Sequence, residues 1–199
     1  MSLSQYDFRP AGLLKCLLLL MHVAALSFVS HPAARTQEGF PPPPSDRSLV
    51  YIDNGTGTLD SLPFETGRTS LKTDRVAGND KTSYIAIGGP SAGKTIYNSS
   101  PRFYLFVRDE ANAHPPFIVH LTQKNSERRV TAMAQKGLKG FAIFSEEIVK
   151  PHYRVLSRSS GAIYMEVRPR ESLAPGEYAI IGEDLQRVAT FRVATVQSR

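Results

Sequence analysis

The residues with the most direct chemical potential lie between positions 88 and 95. They spell Gly-Gly-Pro-Ser-Ala-Gly-Lys-Thr, which fits the phosphate-loop pattern G-x-x-x-x-G-K-[ST]. In a phosphate loop the backbone N–H groups surround the phosphates of a nucleotide, the lysine reaches their outer oxygens, and the threonine hydroxyl binds Mg²⁺. A nucleotide site here would use Gly88, Gly93, Lys94 and Thr95.

A phosphate loop also needs a helix that begins at its lysine, and the sequence after Lys94 does not favour one. Residues 98–100 are Asn-Ser-Ser, which are poor helix formers, and Pro101 disfavours helical conformation at the residue before it. The apolar run 103–107 predicts a strand that starts only 8 residues after Thr95, whereas a parallel crossover needs about a dozen residues or more. We therefore predict a strand, a Gly/Ser-rich turn and a second strand in a hairpin-like connection, with no cofactor. In that turn the three glycines permit positive φ, and nucleotide binding by the loop is the alternative.

The other residues that could carry chemistry do not form a recognised constellation. The histidines show neither metal-binding spacing nor an H-E-x-x-H motif, and the sequence has one cysteine and no G-x-S-x-G elbow. His120, on a predicted strand, is expected to be a packed or edge residue. The acid pairs Asp109-Glu110 and Glu146-Glu147 favour solvated loops over paired catalytic carboxylates. We therefore expect no catalytic residue, no metal site and no enzymatic activity. The alternative is a small hydrolase whose site the sequence does not show.

Length, composition and charge limit the class of protein. The chain has 199 residues, which suits one domain with a leader, and its hydrophobic fraction of 41% argues against general disorder. Lys and Arg number 24 against 18 Asp and Glu, a formal net charge of +6. Acids are interspersed among the basic residues, so the charge indicates a solvated exterior and no nucleic-acid partner. Weak attraction to an anionic envelope surface is a secondary effect.

Residues 1–30 predict an N-terminal apolar helix that is either a signal peptide or an uncleaved membrane anchor. Arg9 and Lys15 precede the apolar run 16–26, the usual order in a secretory leader. The run is short for a membrane span of about 20 residues, and a buried core helix is the less favoured alternative. We expect an extracytoplasmic protein, periplasmic or secreted, that contacts the membrane through this segment if it is not cleaved. The one cysteine, Cys16, lies in the leader, so the body can form no disulfide, but a domain of about 150 residues can bury enough surface to be stable without one.

Residues 31–48 predict a linker between the leader and the folded body. Four successive prolines at 41–44 favour an extended polyproline II rod, which has no internal hydrogen bonds. We interpret the segment as a spacer, and docking of a partner on the prolines is the less favoured alternative.

From residue 49 to residue 199 the sequence predicts an all-β domain. The stretch 162–168 alternates most clearly, which predicts a strand with one buried and one wet face. The buried face would carry Ile163, Met165 and Val167, and the wet face would carry Tyr164, Glu166 and Arg168. Turn-forming residues separate further short strand candidates. These candidates are 49–52, 84–87, 103–108, 117–121, 140–144, 152–157, 177–181 and 190–196. Short strands with frequent turns are typical of a sandwich or barrel.

One segment, 126–138, is ambiguous. Its apolar residues Val130, Met133 and Leu138 recur at near-helical spacing, and Ser126 could cap a helix. The segment predicts either one short helix between strands or a strand pair that turns at Lys136-Gly137.

The segment 173–178 carries the most diagnostic pattern. Leu173 and Pro175 precede Tyr178, which opens a predicted strand, and this arrangement resembles the corner of immunoglobulin-like sandwiches, where the tyrosine hydroxyl bonds to the upstream backbone. The stretch also resembles the closing hairpin of uncharacterised β-sandwich domains on exported bacterial proteins. The resemblance implies an immunoglobulin-like antiparallel β-sandwich and no assigned activity.

Leader, linker and strand pattern together predict an exported, non-enzymatic β-sandwich that acts as a binding or assembly module of the cell envelope. The expected partner is an unknown envelope protein or surface component.

Overall fold

The computed structural model describes residues 40–53, 58–75, 81–110, 114–134, 141–159, 161–182 and 184–195. The predicted leader, 1–30, lies outside the described residues, as do residues 31–39 of the predicted linker. The described part of the chain contains no helix long and apolar enough to span a bilayer. The chain divides into two units, Met1–Phe40 and Pro41–Arg199, and the strands described below belong to the second unit.

Strands account for nearly all of the regular structure, so the prediction of an all-β fold is confirmed. Within the described ranges the one helical element is a 3₁₀ turn at Ser145–Glu147. The strands are β1 (Val50–Asp53), β2 (Leu59–Leu62), β3 (Thr69–Arg75), β4 (Lys81–Gly88), β5 (Thr95–Ile96), β6 (Arg102–Arg108), β7 (Phe117–Lys124), β8 (Glu127–Ala134), β9 (Phe141–Ile143), β10 (Ile148–Val149), β11 (Pro151–Ser159), β12 (Ala162–Pro169), β13 (Gly176–Ile181) and β14 (Val188–Val193).

These strands form two sheets. The five-stranded sheet has the order β11-β12-β6-β1-β2. The nine-stranded sheet has the order β3-β4-β8-β7-β13-β14-β5, with β9 beside β8 and β10 beside β7. Neighbouring strands run antiparallel throughout, apart from β5, which runs parallel to β14.

The main core lies between the two sheets and follows from the alternation of side chains along each strand. In β6 the residues Phe103, Leu105 and Val107 point into this core, while the intervening residues point outward. Strands β13 and β14 supply the opposite wall, and the rings of Phe103 and Phe191 meet at a centroid distance of 4.8 Å. The two sheets therefore pack face to face as a β-sandwich.

The nine-stranded sheet also folds back on itself at β7. The first half of β7 pairs with β13 and its second half, from Thr122 onward, pairs with β8. This bend brings β4 and β8 over the outer face of β13 and β14, where a second core forms. Its buried members include Ile85, Ile87, Val130, Ala179, Ile181 and Val188. Consequently β13 and β14 are buried on both faces, which explains their nearly continuous apolar sequence.

The structure decides the conformation of residues 127–134. They form strand β8, so the helix alternative is wrong for them; β8 joins β7 through a tight turn in which Asn125 adopts φ 57°, a conformation that Asn tolerates. On its other side β8 pairs antiparallel with β9. The predicted turn at Lys136-Gly137 lies outside the described residues.

The predicted wet face of β12 is wrong at two of its three positions. Tyr164 and Glu166 are only 2% and 4% exposed. The Glu166 carboxylate accepts a hydrogen bond from the Tyr104 hydroxyl at 3.3 Å, and the Arg168 guanidinium lies 3.9 Å from it. Period-two alternation shows which residues share a face, but it does not show whether a further segment covers that face.

The corner before β13 has the hydrogen bond that the sequence predicts. The Tyr178 hydroxyl donates to the carbonyl oxygen of Ala174 at 2.9 Å, and Tyr178 is 4% exposed. Burial raises the pKa of this tyrosine, so the hydroxyl remains a donor at neutral pH. The backbone N–H of Leu173 also donates to the carbonyl oxygen of Ser99 at 2.7 Å, which anchors the corner to the segment before β6.

Replacing Tyr178 with Phe should lower the free energy of unfolding by about 1 kcal/mol, because it leaves the ring in place and removes one buried hydrogen bond. Urea denaturation would show this as a lower midpoint with an unchanged slope. Tyr97→Phe is the matched control, since Tyr97 is 64% exposed. Equal midpoints for the two variants would contradict a stabilising role for the corner bond.

Candidate functional site

The chain leaves strand β4 of the nine-stranded sheet at Gly88, forms β5 in the same sheet and enters the five-stranded sheet at β6. The prediction that no helix follows Lys94 is confirmed, because Thr95–Ile96 is strand β5. The predicted hairpin-like connection is wrong, since β4 and β6 lie in different sheets. The cause is β5: its backbone pairs with β14, and the Ile96 side chain enters the core between the sheets.

The glycines of the phosphate-loop pattern differ in their backbone conformation. Gly89 has a φ of +97°, whereas Gly88 and Gly93 do not adopt positive φ. A Cβ atom on Gly89 would also lie 2.7 Å from Nη2 of Arg68. The positive φ therefore favours glycine at 89, whereas the Arg68 side chain, which is 57% exposed, can move away from an added Cβ.

The carbonyl oxygens of this loop face a buried cation. The Arg128 side chain, on strand β8, is 0% exposed. Its Nε donates to the carbonyl oxygen of Gly89 and its Nη2 to that of Gly88, both at 3.2 Å. Nη2 also lies 3.3 Å from Oε1 of Glu65. The first two residues of the pattern thus bind a guanidinium of the protein itself.

The amide side of the loop faces a carboxylate. The backbone N–H of Ala92 donates to Oε2 of Glu177 at 2.8 Å, and the Ser91 hydroxyl donates to Oε1 of the same residue at 3.0 Å. Oε2 of Glu177 also lies 3.8 Å from Nη1 of Arg128. Glu177, a residue of strand β13, therefore occupies donors that a phosphate would need in this loop.

Glu65 closes the arrangement on its other side. Its Oε1 accepts a hydrogen bond from the Thr190 hydroxyl at 2.5 Å, and its Oε2 lies 3.4 Å from Nη1 of Arg68. We call Arg128, Glu65, Glu177 and Thr190 the Arg128 cluster. It joins β8 to β13, β14 and the segment before β3 at one end of the second core.

The remaining residues of the predicted nucleotide alternative point elsewhere. Nζ of Lys94 lies 2.5 Å from Oδ2 of Asp60 on strand β2. Thr95 pairs with Arg192 through its backbone. The structure therefore pairs the Gly88 carbonyl with Arg128 and the Lys94 ammonium with Asp60, so these two groups do not face one common partner.

The acid pairs and His120 also have local partners. Asp109 forms an ion pair of 2.8 Å with Arg158, and Glu147 accepts a hydrogen bond of 2.6 Å from the Thr131 hydroxyl. The His120 ring packs edge-on against Tyr178 at 5.2 Å, as expected for a packed or edge residue, and it borders two shallow hollows of about 330 and 520 Å³. Within the described ranges, no three His, Cys, Asp or Glu side chains are grouped to hold a metal ion.

The outer face of β3, β4 and β8 carries a charged network around a hollow of about 500 Å³. The Arg129 guanidinium lies 4.2 Å from the ring centroid of Tyr84 and binds Asp74 at 2.9 Å and Glu127 at 2.5 Å. Lys72 binds the other oxygen of Glu127 at 2.7 Å and lowers the pKa of that carboxyl, with help from Arg129. Nζ of Lys124 also lies 3.8 Å from Asp74, so three cations and two carboxylates largely offset one another on this face.

The Arg128 cluster is the site that sequence reasoning missed. Its signal is the alternation of Arg128, Val130 and Ala132 on one face of a strand. That pattern places a charge on a buried face, and buried charges require partners. The partners themselves come from segments 39 to 63 residues away.

The comparisons with known proteins assign no family to the chain. No protein-family model matches it, and no curated protein or solved structure is significantly similar to it.

Arg128→Ala should lower the free energy of unfolding by about 3–5 kcal/mol, because it leaves the Glu65 and Glu177 side chains, only 14% and 11% exposed, without their buried cation. Arg192→Ala is the matched control: Arg192 also faces Glu177, but at 4.0 Å and with a side chain 56% exposed, so its loss should cost less than about 1 kcal/mol. Chemical denaturation followed by circular dichroism measures both. Similar losses of unfolding free energy in the two variants would contradict the conclusion that the buried Arg128 stabilises the fold more than an exposed ion pair does.

Proposed function

We propose that this protein is an exported, non-enzymatic binding or assembly module of the cell envelope. The observation that carries the proposal is the occupation of the phosphate-loop pattern by Arg128 and Glu177. The sequence motif with the strongest claim to chemistry then has a structural role, because it connects the chain after β4 to β8 and β13. The apolar leader supports export, and the cysteine-free body is compatible with it, because a domain of this size can be stabilised by its buried core without a disulfide.

We further propose that the domain is an elaborated immunoglobulin-like sandwich. Two sheets that pack face to face and the hydrogen bond from Tyr178 to Ala174 support this relation. The layer made by β3, β4, β8 and β9 is an addition to that plan, produced by the bend in β7.

The location of the protein tests the proposal directly. A C-terminally tagged full-length chain should fractionate with the extracytoplasmic material. A double variant with Leu18→Arg and Leu19→Arg in the apolar run should stay in the cytosol, because charges in this run disrupt a secretory leader. The paired change Ser2→Arg and Ser4→Arg, which adds the same charge outside the run, is the control. If the wild-type protein is found in the cytosol with its N-terminus intact, the proposal is wrong.

Nucleotide titration tests the alternative. Neither ATP nor GTP with Mg²⁺ should bind at millimolar concentration, because the loop donors are held by Glu177 and Lys94 is held by Asp60. Isothermal titration of the wild type and of Lys94→Ala should give the same absence of heat. Saturable binding by the wild type that disappears in Lys94→Ala would favour a nucleotide-binding protein.

A further inference from the structure

The outer face of the five-stranded sheet carries an aromatic cluster. Tyr104, Phe106 and Tyr164 point away from the main core, yet they are only 0%, 5% and 2% exposed. The rings of Phe106 and Tyr164 stack at 4.9 Å, and those of Tyr104 and Tyr164 lie 6.2 Å apart. We call this surface the aromatic face. Rings on an outward sheet face are buried only if something lies over them.

Residues 41–48 lie over the aromatic face, and we call them the proline strap. The Tyr164 hydroxyl donates to the carbonyl oxygen of Pro41 at 3.4 Å. The guanidinium of Arg47 sits 5.1 Å from the ring centroid of Phe106. At the edge of the face, the Tyr51 hydroxyl donates to the carbonyl oxygen of Asp46 at 2.9 Å.

The exposure of the four prolines repeats every three residues. Pro41 and Pro44 are partly buried, whereas Pro42 and Pro43 are exposed. A polyproline II helix has three residues per turn, so one of its edges, carrying Pro41 and Pro44, lies toward the sheet.

The chemistry of these contacts matches the recognition of polyproline II segments. A proline-rich segment offers carbonyl acceptors without N–H donors, and it is recognised by aromatic grooves that supply ring surface and hydroxyl or indole donors. The aromatic face supplies both, because Tyr164 and Tyr51 donate to strap carbonyls beside the Phe106 ring. Burial raises the pKa of Tyr164 to about 12, which keeps its hydroxyl a donor at neutral pH.

We propose that the aromatic face is a binding site for polyproline II segments and that the strap is its built-in ligand, which a proline-rich segment of an envelope partner displaces. This partner class deepens the proposed function and rests on it for where the partner is met. The preferred segment would carry an arginine three residues after its last proline, as the strap does with Arg47 after Pro44. The strap can be displaced because two of its four prolines are exposed and because its hydrogen bond to Tyr164 is long.

The strap acts as an intramolecular competitor. A tethered ligand is present at an effective concentration in the millimolar range. A free peptide of the same sequence therefore binds the wild type weakly, and its apparent affinity rises as the strap spends less time on the face. Weakening the strap without altering the face should reveal the site.

The test uses a fluorescent peptide with the sequence of residues 40–48 and the full-length chain. In the inward variant, Pro41→Gly and Pro44→Gly, peptide affinity measured by fluorescence anisotropy should rise at least tenfold over the wild type. The outward variant, Pro42→Gly and Pro43→Gly, is the matched control: it adds the same backbone flexibility but removes no partly buried proline, so it should bind nearly as the wild type does. Adding Tyr164→Phe to the inward variant should weaken peptide binding severalfold.

Equal peptide affinities for the inward and outward variants, or no binding to an inward variant that unfolds cooperatively, would overturn the proposal. If the inward variant does not fold, Arg47→Ala provides the second measurement, since it removes only the cation over Phe106. The Arg47→Ala variant should bind the peptide more tightly than the wild type does, and an unchanged affinity would count against the site. Peptide binding is measured on the purified chain, so its failure is independent of where the protein is found in the cell.

Discussion

The buried guanidinium of Arg128 is the interaction on which the arrangement of the nine-stranded sheet depends. A charge that is fully removed from water must be matched by carboxylates and carbonyl oxygens nearby. Here Glu65, Glu177 and the carbonyls of Gly88 and Gly89 meet it from separate segments. The bend in β7 and the path of the chain after β4 bring these groups to the guanidinium. The same geometry therefore folds the sheet back on itself and surrounds the buried charge with partners.

That geometry also explains why a motif can be present without its usual chemistry. A phosphate loop binds an anion with backbone N–H groups at the start of a helix, whose dipole adds to the attraction. In this protein the chain after Lys94 is extended, and the N–H of Ala92 already has the Glu177 carboxylate. The motif has the residue types of a phosphate loop. However, a strand takes the place of the helix, and the Glu177 carboxylate of the protein takes the place of a bound phosphate.

The outer face of β3, β4 and β8 and the outer face of the five-stranded sheet carry different kinds of outward side chains. On β3, β4 and β8 the outward side chains are charged, and ion pairs such as Arg129 with Asp74 neutralise them in place. On the five-stranded sheet the outward side chains are aromatic, and the proline strap covers them. The charged side chains of β3, β4 and β8 pair with one another within their own sheet. The aromatic face instead depends on a separate segment, the proline strap, to cover its rings. This difference makes the aromatic face the surface with a replaceable occupant.

The sequence by itself determined the all-β class, the positions of most strands and the absence of a helix after Lys94, and the resemblance of residues 173–178 to an immunoglobulin-like corner implied the Tyr178 hydrogen bond. Each of these depends on residues within a few positions of one another, where periodicity, proline and glycine act directly. Only the tertiary structure decided that residues 127–134 are a strand, that Tyr164 and Glu166 are buried, and that Glu177 fills the loop. These outcomes depend on partners far away in the chain, such as Ala92 and Glu177 at a separation of 85 residues. Local patterns carry no information about which distant segment will cover a face, because that choice is made by packing and charge pairing in the folded chain.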